Sequence, residues 1–488
     1  MATKRKVVRT DKGFALWSPT VPRLVPWMRD PFLREEMARI VIVGGGISGL
    51  SAAYELHQDG RHEVTLLESS DRLGGKIVTR HSDDLLIEGG PDSIFTVKPW
   101  AVDLMRELGL ENDLIEPIGS GFSILAGGQL HSVPRALASL VPSASSDFES
   151  LGFLEAADCR RARLESSVPK GEGSDESVAS FFRRRFGEGY SKNLAEPLLA
   201  GIQAGDPGLL SMKALYPSYI ALEQKDGKLT SDDSASGANV ASRKPGFLTL
   251  RQGLQRFVEV LADRVAGVDV RLNSRAESIE KSPTGAFRVL GTGSVEADAV
   301  ILSTSSYFAA TLLGGVVPAA SELLKTVRHV STAVVTFAFP MGACPNGLHG
   351  NGYLVPADEP CDITGCTFSS SKWPDRSTPN VALLRAFMGR DGGLNVEDFP
   401  DDVLIEKAFS AVAQHLGLTG LSSMRCIDRW TRAMPQYALG HVELMDRIEK
   451  TIGDLPIFLA GGSYRGTGIP DCIRQGREAA RRAVVALE

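Results

Sequence analysis

The chain has 488 residues and a formal net charge of −6, with 43% hydrophobic and 23% charged residues. This composition supports a large core, excludes a chain that is disordered throughout, and argues against a dedicated nucleic-acid binder. Six cysteines are too few for a disulfide framework, and Cys361 and Cys366 lack the second pair that would complete a zinc site. The sequence therefore predicts no metal site, and without an apolar stretch of about 18 residues it predicts no membrane-spanning helix.

The first 36 residues differ from the rest of the chain. They contain Lys4, Arg5, Lys6 and Arg9 together with several prolines, and they show no apolar periodicity. A secretory signal would need an apolar core of about 7–15 residues, which this segment lacks. We predict a disordered extension over 1–36, with the folded protein beginning near Met37.

A strand–turn–helix–strand pattern follows directly. After Arg39, the strand predicted over 39–43 is apolar and β-branched, as in a buried parallel strand, and a helix and a second strand follow over 50–56 and 63–67. The turn reads G-x-G-x-x-G. Gly44 permits the tight turn, Gly46 lets the backbone approach a pyrophosphate, and Gly49 lets helix and strand pack closely.

The same unit contains the other groups that a dinucleotide needs. Ile47 and Ser48 open the helix, whose free N–H groups attract phosphate. Glu68 stands 19 residues after the last glycine, at the end of the second strand, where it can accept hydrogen bonds from ribose hydroxyls. We therefore predict dinucleotide binding, and the acid disfavours NADP.

Two further glycine clusters follow, over 69–76 and 86–93. Together with the first cluster they suit a long cofactor lying across the edge of a sheet. Arg72 and Lys76, in the second cluster, are candidates to neutralise a diphosphate.

The remaining elements are predicted from periodicity. Helices are expected over 101–108, 178–186 and 471–487, and another opens at 250–257. Apolar runs predict strands over 268–272, 276–280, 297–304, 331–339, 381–388 and 457–460. The polar segment 222–242 predicts an exposed, mobile loop.

These motifs carry a resemblance. The pattern acid-x-x-x-Arg-Leu-Gly-Gly-Lys at 68–76 resembles the superfamily of flavin amine oxidases, phytoene desaturases and protoporphyrinogen oxidases. The strings AMPQY at 433–437 and GTGIPDCI at 466–473 are similar to those of oxygen-dependent porphyrinogen oxidases. The resemblance covers about 37–488 and implies FAD rather than NAD as the cofactor.

The resemblance implies oxidation of a porphyrinogen to the porphyrin, as in heme biosynthesis, in three two-electron steps. Oxygen would be the acceptor and hydrogen peroxide the by-product. In the eukaryotic branch an arginine lies in the strand that matches 121–125, and this chain has none there. Protoporphyrinogen IX and coproporphyrinogen III therefore both remain open as substrates. The alternative is another FAD-dependent amine oxidase or a carotenoid desaturase.

The resemblance also extends the set of expected cofactor-binding residues beyond the first glycine turn, Glu68, Arg72 and Lys76. The additional positions are Ser69, Gly75, Gly90, Pro91, Asp92, Ser93, Ala276, Trp430, Gly462, Thr467, Gly468 and Ile469. No catalytic side chain is assigned, because the flavin itself performs the redox step. His441 is a candidate for an active role, with packing as the alternative.

The predicted fold class is α/β. We expect a discontinuous Rossmann-type FAD-binding domain over 37–95, 245–310 and 451–488, a helical subdomain over 96–244, and a sheet-based substrate-binding domain over 311–450. The expected partners are a porphyrinogen and oxygen, with no nucleic acid. The predicted location is cytoplasmic, and peripheral membrane contact and hand-off to a chelatase are further hypotheses.

Overall fold

The computed structural model describes residues 37–119, 121–133, 141–142, 147–173, 175–230, 246–283 and 285–488. The predicted extension over 1–36 lies outside the described residues, and Ala38–Glu488 form one unit. Within the described ranges the strands are β1 Arg39–Val43, β2 Glu63–Leu67, β3 Thr79–Ser82, β4 Leu85–Glu88, β5 Ile94–Phe95, β6 Leu114–Ile115, β7 Phe122–Ala126, β8 Gln129–Val133, β9 Phe247–Leu250, β10 Asp269–Arg271, β11 Ala276–Lys281, β12 Phe287–Gly291, β13 Ser294–Ala297, β14 Ala299–Leu302, β15 His329–Pro340, β16 Gly352–Leu354, β17 Ile363–Phe368, β18 Val381–Met388, β19 Met424–Pro435 and β20 Ile457–Leu459. The helices are α1 Ile47–Asp59, α2 Trp100–Glu107, α3 Ala156–Arg163, α4 Val178–Phe186, α5 Glu188–Tyr190, α6 Glu196–Gln203, α7 Met212–Leu215, α8 Pro217–Asp226, α9 Gln255–Asp263, α10 Ser306–Leu313, α11 Pro318–Lys325, α12 Ser369–Lys372, α13 Asp401–Leu416, α14 His441–Ile452 and α15 Ile469–Leu487.

A five-stranded parallel sheet carries the first glycine turn. Its strand order is β10-β2-β1-β14-β20, and β1 pairs in parallel with both β2 and β14. Alternate residues of β1 enter two different cores. Ile40 and Ile42 pack with α1, α2, α9 and α15, whereas Val41 and Val43 pack with α10, α11 and α14. Burial on both faces explains the unbroken apolar run in the sequence and confirms the predicted Rossmann-type architecture.

The parallel arrangement brings four chain segments to one edge. Because β2, β1, β14 and β20 all run in the same direction, Glu68, Gly44, Ser303 and Ala460 follow their carboxyl ends side by side. Ligands of open α/β sheets bind outside this edge.

A second sheet of seven strands has the order β19-β15-β18-β17-β16-β7-β8. One face packs against α13 through residues such as Val335, Leu384 and Val412. The predicted strands over 331–339 and 381–388 correspond to β15 and β18. The β7–β8 hairpin also joins this sheet, although 96–244 was predicted as a helical subdomain; the pairing of β7 with β16 explains the difference.

The helices α3 to α8 form a separate core with an aromatic centre that includes Phe181, Phe182, Phe186 and Tyr190. The predicted helix over 178–186 is α4, with Ser177 capping its first turn. The prediction of a mobile loop over 222–242 is wrong at its start, because α8 continues to Asp226. Residues 231–242 of that segment lie outside the described residues.

The segment around 250 also differs from its prediction. Residues Phe247–Leu250 are a strand, paired with β5 and β6, and the helix begins only at Gln255. The backbone N–H of Leu254 donates to Glu88 Oε1 at 2.9 Å, and that of Gln255 to Thr79 Oγ1 at 2.9 Å. These tertiary bonds place the start of the helix. Among the described helices, none combines the length and the apolar character that crossing a bilayer requires.

Candidate cofactor and active site

The first glycine turn forms an open cradle at the edge of the parallel sheet. Gly44 has a φ of +106°. A Cβ on Gly49 would lie 1.9 Å from the Gly44 carbonyl oxygen, so helix and turn meet only because that position lacks a side chain. A Cβ on Gly46 would have its nearest neighbour at 4.0 Å. The space in front of Gly46 and the start of α1 is therefore free for a ligand.

The helix that begins at this cradle has no side-chain cap. Gly46 is the N-cap residue of α1 and makes no capping hydrogen bond. The first N–H groups of a helix carry about half a positive charge and bind phosphate well. Ile47 and Ser48 are buried in this first turn.

Glu68 holds the turn and marks the adenosine end of the predicted site. Its Oε2 accepts a hydrogen bond from the Gly45 N–H at 2.7 Å, and its Oε1 accepts one from the Ser70 N–H at 2.8 Å. The Ser274 N–H donates to the Glu68 carbonyl at 2.8 Å. This bond brings the start of β11, at Ala276, towards the acid, while Ser69 is exposed beside it.

The second glycine cluster lies against the first. The Gly74 N–H donates to the Gly45 carbonyl at 2.9 Å, and a Cβ on Gly75 would lie 3.2 Å from Gly46 Cα. Arg72 fixes this loop: Nη1 donates to the Leu73 and Ile77 carbonyls at 3.2 and 3.1 Å, and Nη2 donates to the Gly75 carbonyl. Arg72 was predicted to neutralise the diphosphate, but both of its terminal nitrogens already donate to carbonyls of this loop.

Lys76 faces the cleft. Its ammonium donates a hydrogen bond to the Ala433 carbonyl on β19, and its side chain is exposed. The protein atoms around it nevertheless lower the pKa of the ammonium by desolvation. Accessibility combined with desolvation is typical of a group inside an open cleft.

The third glycine cluster connects the two sheets. Trp430 Nε1 donates to the Gly89 carbonyl at 2.8 Å, and Arg385 Nη2 donates to the Gly90 carbonyl at 2.5 Å. A Cβ on Gly90 would lie 2.0 Å from the Lys76 carbonyl oxygen. Trp430 and the 90–93 loop, both predicted to bind the cofactor, therefore lie next to each other. Bonds from β18 and β19 determine the position of the loop.

Asp92 anchors the same loop. Its Oδ2 lies 2.9 Å from Lys372 Nζ and 3.5 Å from Arg385 Nη1. Trp373 Nε1 donates to it at 3.2 Å, and Ser93 Oγ donates to Oδ1 at 2.8 Å. Burial opposes ionisation, but the two cations hold the pKa of Asp92 well below its ordinary value. The Asp92 side chain therefore holds the 90–93 loop, and contact of that loop with the cofactor stays a prediction.

The last predicted segment closes the edge from the other side. Gly468 is the N-cap of α15 and makes no side-chain cap. A Cβ on Gly476 would lie 2.1 Å from the Ser48 carbonyl oxygen, so α15 packs directly on α1. Tyr437 Oη donates to the Gly462 carbonyl and accepts from the Gly466 N–H, each at 2.8 Å.

Thr467 reaches the helical region. Its hydroxyl donates to Gln203 Oε1, at the end of α6, at 3.4 Å. Gly468 and Ile469 follow it at the start of α15, and Gly462 lies in the loop that leads to this helix.

His441 occupies a structural position. It is 4% exposed, its ring stacks on Tyr437 with centroids 3.8 Å apart, and Nε2 bonds the Tyr464 carbonyl at 2.8 Å. Burial lowers the pKa of its imidazole to about 4. Packing, rather than an active role, fits this environment.

Three polar residues at the site escaped the sequence reasoning. His329 Nε2 bonds Ser463 Oγ at 3.0 Å, Ser463 Oγ accepts from the Ser306 N–H at 3.2 Å, and Gln203 bonds Thr467. Ser463 lies within the C-terminal glycine motif, which was a usable signal. His329 begins an ordinary apolar strand and Gln203 ends an ordinary helix, so neither carried one.

A cavity of about 940 Å³ lies elsewhere, beside α13. None of its lining residues belongs to the glycine clusters. Four of its charged groups form two ion pairs, Lys407 with Asp362 at 3.0 Å and Arg425 with Glu406. Among the described residues no group of three or more His, Cys, Asp or Glu is arranged to hold a metal ion.

The residues at the sheet edge fit a flavin adenine dinucleotide. The open cradle at Gly46 and the uncapped start of α1 suit the diphosphate, Glu68 suits the ribose, and the third cluster with the start of α15 suits the flavin ring. Gly75, Lys76 and Gly468 are exposed although the segments on either side of them are packed against the protein, as expected for the floor of a cleft.

Comparison with known proteins agrees with this geometry. The family described as flavin containing amine oxidoreductase matches residues 47–484. The chain belongs to this family. The predicted flavin cofactor and oxidoreductase class are thereby confirmed.

The chain is also similar along most of its length to individual porphyrinogen oxidases. The chain is 32% identical to the coproporphyrinogen III oxidase of Bacillus subtilis (strain 168), covering 92% of this chain and 98% of that protein. It is 29% identical to the protoporphyrinogen oxidase of Homo sapiens, covering 90% and 97%. A solved Exiguobacterium sp. 255-15 protein, named provisionally as a protoporphyrinogen oxidase, superposes with a TM-score of 0.81 at 30% identity over 92% of this chain and 99% of that one.

Proposed function

We propose that this flavin enzyme oxidises a porphyrinogen to the porphyrin with FAD, in heme biosynthesis, and that coproporphyrinogen III is its substrate. The observation that carries the proposal is the match to coproporphyrinogen III oxidases over more than nine-tenths of both chains. The absence of arginine from β7, at Phe122–Ala126, supports the coproporphyrinogen branch over protoporphyrinogen IX.

The chain's own residues provide position and electrostatics. Bound FAD supplies the two-electron acceptor for a C–H bond at a methylene bridge of the substrate. The N–H groups at the start of α15 stabilise negative charge near them. Trp430 and Arg385 hold the Gly89–Gly90 loop in place by bonds to its carbonyls.

Proton loss from the pyrrole nitrogens needs no strong base, because aromatisation of the macrocycle drives it. The two histidines at the site are neutral near pH 7, since burial lowers the pKa of both His329 and His441 to about 4. We therefore assign no general base to this chain.

Oxygen is the proposed electron acceptor, with one hydrogen peroxide released in each two-electron step. Three peroxides per porphyrin is the expected stoichiometry under air. A peroxide assay run beside porphyrin fluorescence measures it directly.

The deciding experiment offers both porphyrinogens to anaerobically purified, FAD-loaded protein and then admits oxygen. We expect porphyrin fluorescence to rise with coproporphyrinogen III, and a higher kcat/KM for it than for protoporphyrinogen IX. The reverse preference would reassign the substrate. Yellow protein that oxidises neither would overturn the proposal in favour of an amine or polyene substrate, which the same protein can be offered next.

Membrane contact and hand-off of the product to a chelatase are further parts of the proposal. Phe95 and Phe247 are exposed with ring centroids 5.4 Å apart, and Val97, two residues after Phe95, is exposed as well. Such a patch suits the surface of a bilayer. Co-sedimentation with liposomes that is lost in the Phe95→Ser, Phe247→Ser double variant is the expected result, and equal sedimentation of both proteins would contradict it.

A further inference from the structure

Two basic side chains at the cleft have no acidic partner within the described part of the chain. Lys76 donates only to the Ala433 carbonyl, and Arg432, the residue before Ala433, makes no ion pair there. Both are exposed. Arg429, three positions earlier on β19, instead pairs with Asp401 at 2.5 Å. Two uncompensated positive charges in one cleft attract an anionic ligand.

The backbone at Arg432 is held in an uncommon conformation. Its φ is +47°, a region that non-glycine residues rarely adopt. The Arg432 N–H donates to Ser331 Oγ at 2.7 Å, next to the irregularity where β19 pairs with Val330 and Thr332 of β15. Such conformations persist where the surrounding structure enforces them, and they cluster at ligand sites.

The guanidinium of Arg432 has a defined position. It lies 4.0 Å from the centroid of the Tyr307 ring. Tyr307 belongs to the first turn of α10, just beyond the carboxyl end of β14, and its ring meets the edge of His329 at 5.0 Å. The strained backbone and the ring together hold the charge at the sheet edge.

A continuous chain of contacts connects this charge to the first glycine turn. Gly75 touches Gly46, Lys76 follows Gly75, and the Lys76 ammonium binds the carbonyl next to Arg432. Arg72, the cation expected here from the sequence, already donates through both terminal nitrogens to carbonyls of its own loop.

We propose that Lys76 and Arg432 together neutralise the diphosphate of FAD, and that Arg432 rather than Arg72 supplies the second cation. Two positive charges match the two negative charges of a diphosphate diester, and the uncapped start of α1 at Gly46 lies against Gly75, the neighbour of Lys76. The inference depends on the dinucleotide and not on the identity of the substrate.

The test measures FAD affinity rather than turnover. Apoprotein is titrated with FAD and, separately, with riboflavin, which has no phosphate, and flavin fluorescence gives each Kd. Arg432→Gln should weaken FAD binding roughly tenfold or more, as expected for loss of a charge-assisted hydrogen bond, and should leave riboflavin binding unchanged. Arg447→Gln, at an exposed position of α14, is the matched charge control and should leave both unchanged.

Arg432→Gly separates binding from folding. Glycine adopts a positive φ without strain, so this variant should keep the thermal midpoint of the wild-type apoprotein and still lose FAD affinity as Arg432→Gln does. FAD affinity within twofold of wild type in both variants would overturn the proposal. A parallel fall of thermal midpoint and affinity in both would assign Arg432 a structural role instead.

A third result would reassign the ligand. If FAD affinity is unchanged while KM for the porphyrinogen rises, Arg432 meets a substrate carboxylate and not the diphosphate, which also overturns the proposal. Because FAD titration needs no substrate, failure of the proposed function leaves this test intact.

Discussion

Glycines at the cofactor edge serve two different purposes. At Gly49 and Gly90 a Cβ would lie 1.9 and 2.0 Å from a backbone oxygen, so these positions allow the chain to pack on itself. At Gly46 a Cβ would meet nothing closer than 4.0 Å. The missing side chain there leaves room for a ligand, and the three residues therefore respond differently to substitution.

Gly49→Ala tests the packing role. The added methyl group must push α1 away from the Gly44 carbonyl, which we expect to lower the free energy of unfolding by about 1–3 kcal/mol and to abolish FAD retention. Urea denaturation and the flavin absorbance of the purified protein measure the two effects. Gly293→Ala, where a Cβ meets nothing within 4 Å, is the control. A yellow Gly49→Ala protein with wild-type stability would contradict the prediction.

Helices α4 and α8 are joined by a buried ion cluster. Arg185 is fully buried and pairs with Glu165 and Glu223. Glu165 also accepts hydrogen bonds from the N–H groups of Leu229 and Thr230 at 3.0 and 3.2 Å. This cluster explains why α8 continues into a segment that looks like a polar loop: Glu223, at the start of that segment, is buried and paired inside the protein.

Glu165→Gln should destabilise the helical region. Removing one partner leaves part of a buried positive charge uncompensated, at a cost of roughly 3 kcal/mol in the free energy of unfolding. Glu176→Gln, in the same cluster but a quarter exposed, should cost about 1 kcal/mol or less. Urea denaturation of both variants compares them, and equal losses would show that burial does not govern this cluster.

In the whole molecule, the cofactor edge lies where the parallel sheet meets the seven-stranded sheet. Bonds from β18 and β19 reach across to Gly89 and Gly90, and Lys372 and Arg385 reach across to Asp92. The buried His441 and the part-buried His329 lie near the same junction. We therefore expect the stability of this region to depend on pH as well as on packing.

Acid should destabilise the whole fold through His441. Its pKa is about 4 in the folded protein and about 6.5 when unfolded, so between these values only the unfolded chain binds the proton. We expect the contribution of His441 to the free energy of unfolding to be fully present above pH 6.5 and to fall by about 3 kcal/mol as the pH drops to 4. His329 acts with the same sign.

The check is the pH dependence of urea denaturation. His441→Gln should flatten the slope between pH 6.5 and 4, because an amide can donate to the Tyr464 carbonyl without titrating. His57→Gln, at an exposed position of α1, should leave the slope as in the wild type. An unchanged slope in His441→Gln would refute the assignment.

Much of the site was predictable because its signals are local. A β-branched run followed by spaced glycines defines a strand, a turn and a helix within a few residues, and Glu68 falls at the end of the next strand. Gly75, Gly90 and Gly468 were expected from the resemblance of contiguous motifs, and their contact with the cofactor stays a prediction. The helix expected at 250 and the loop expected at 222 were wrong in part, because partners distant in sequence decide them. The role expected for Arg72 stays a prediction.

The sequence by itself determined the α/β class, the glycine turn after the first strand and the flavin family, since each depends on short-range periodicity or on a contiguous motif. Only the tertiary structure decided that β7 and β8 belong to the seven-stranded sheet and that Arg72 serves its own loop. It alone also showed that Arg432, which has no acidic partner among the described residues, directly precedes the carbonyl that Lys76 binds. Except for the bonds of Arg72, which stay within its own loop, these outcomes depend on contacts between residues hundreds of positions apart, such as Lys76 with Ala433 and Arg385 with Gly90. Local sequence does not encode them, because the competing partners of a charge are known only once the chain has folded.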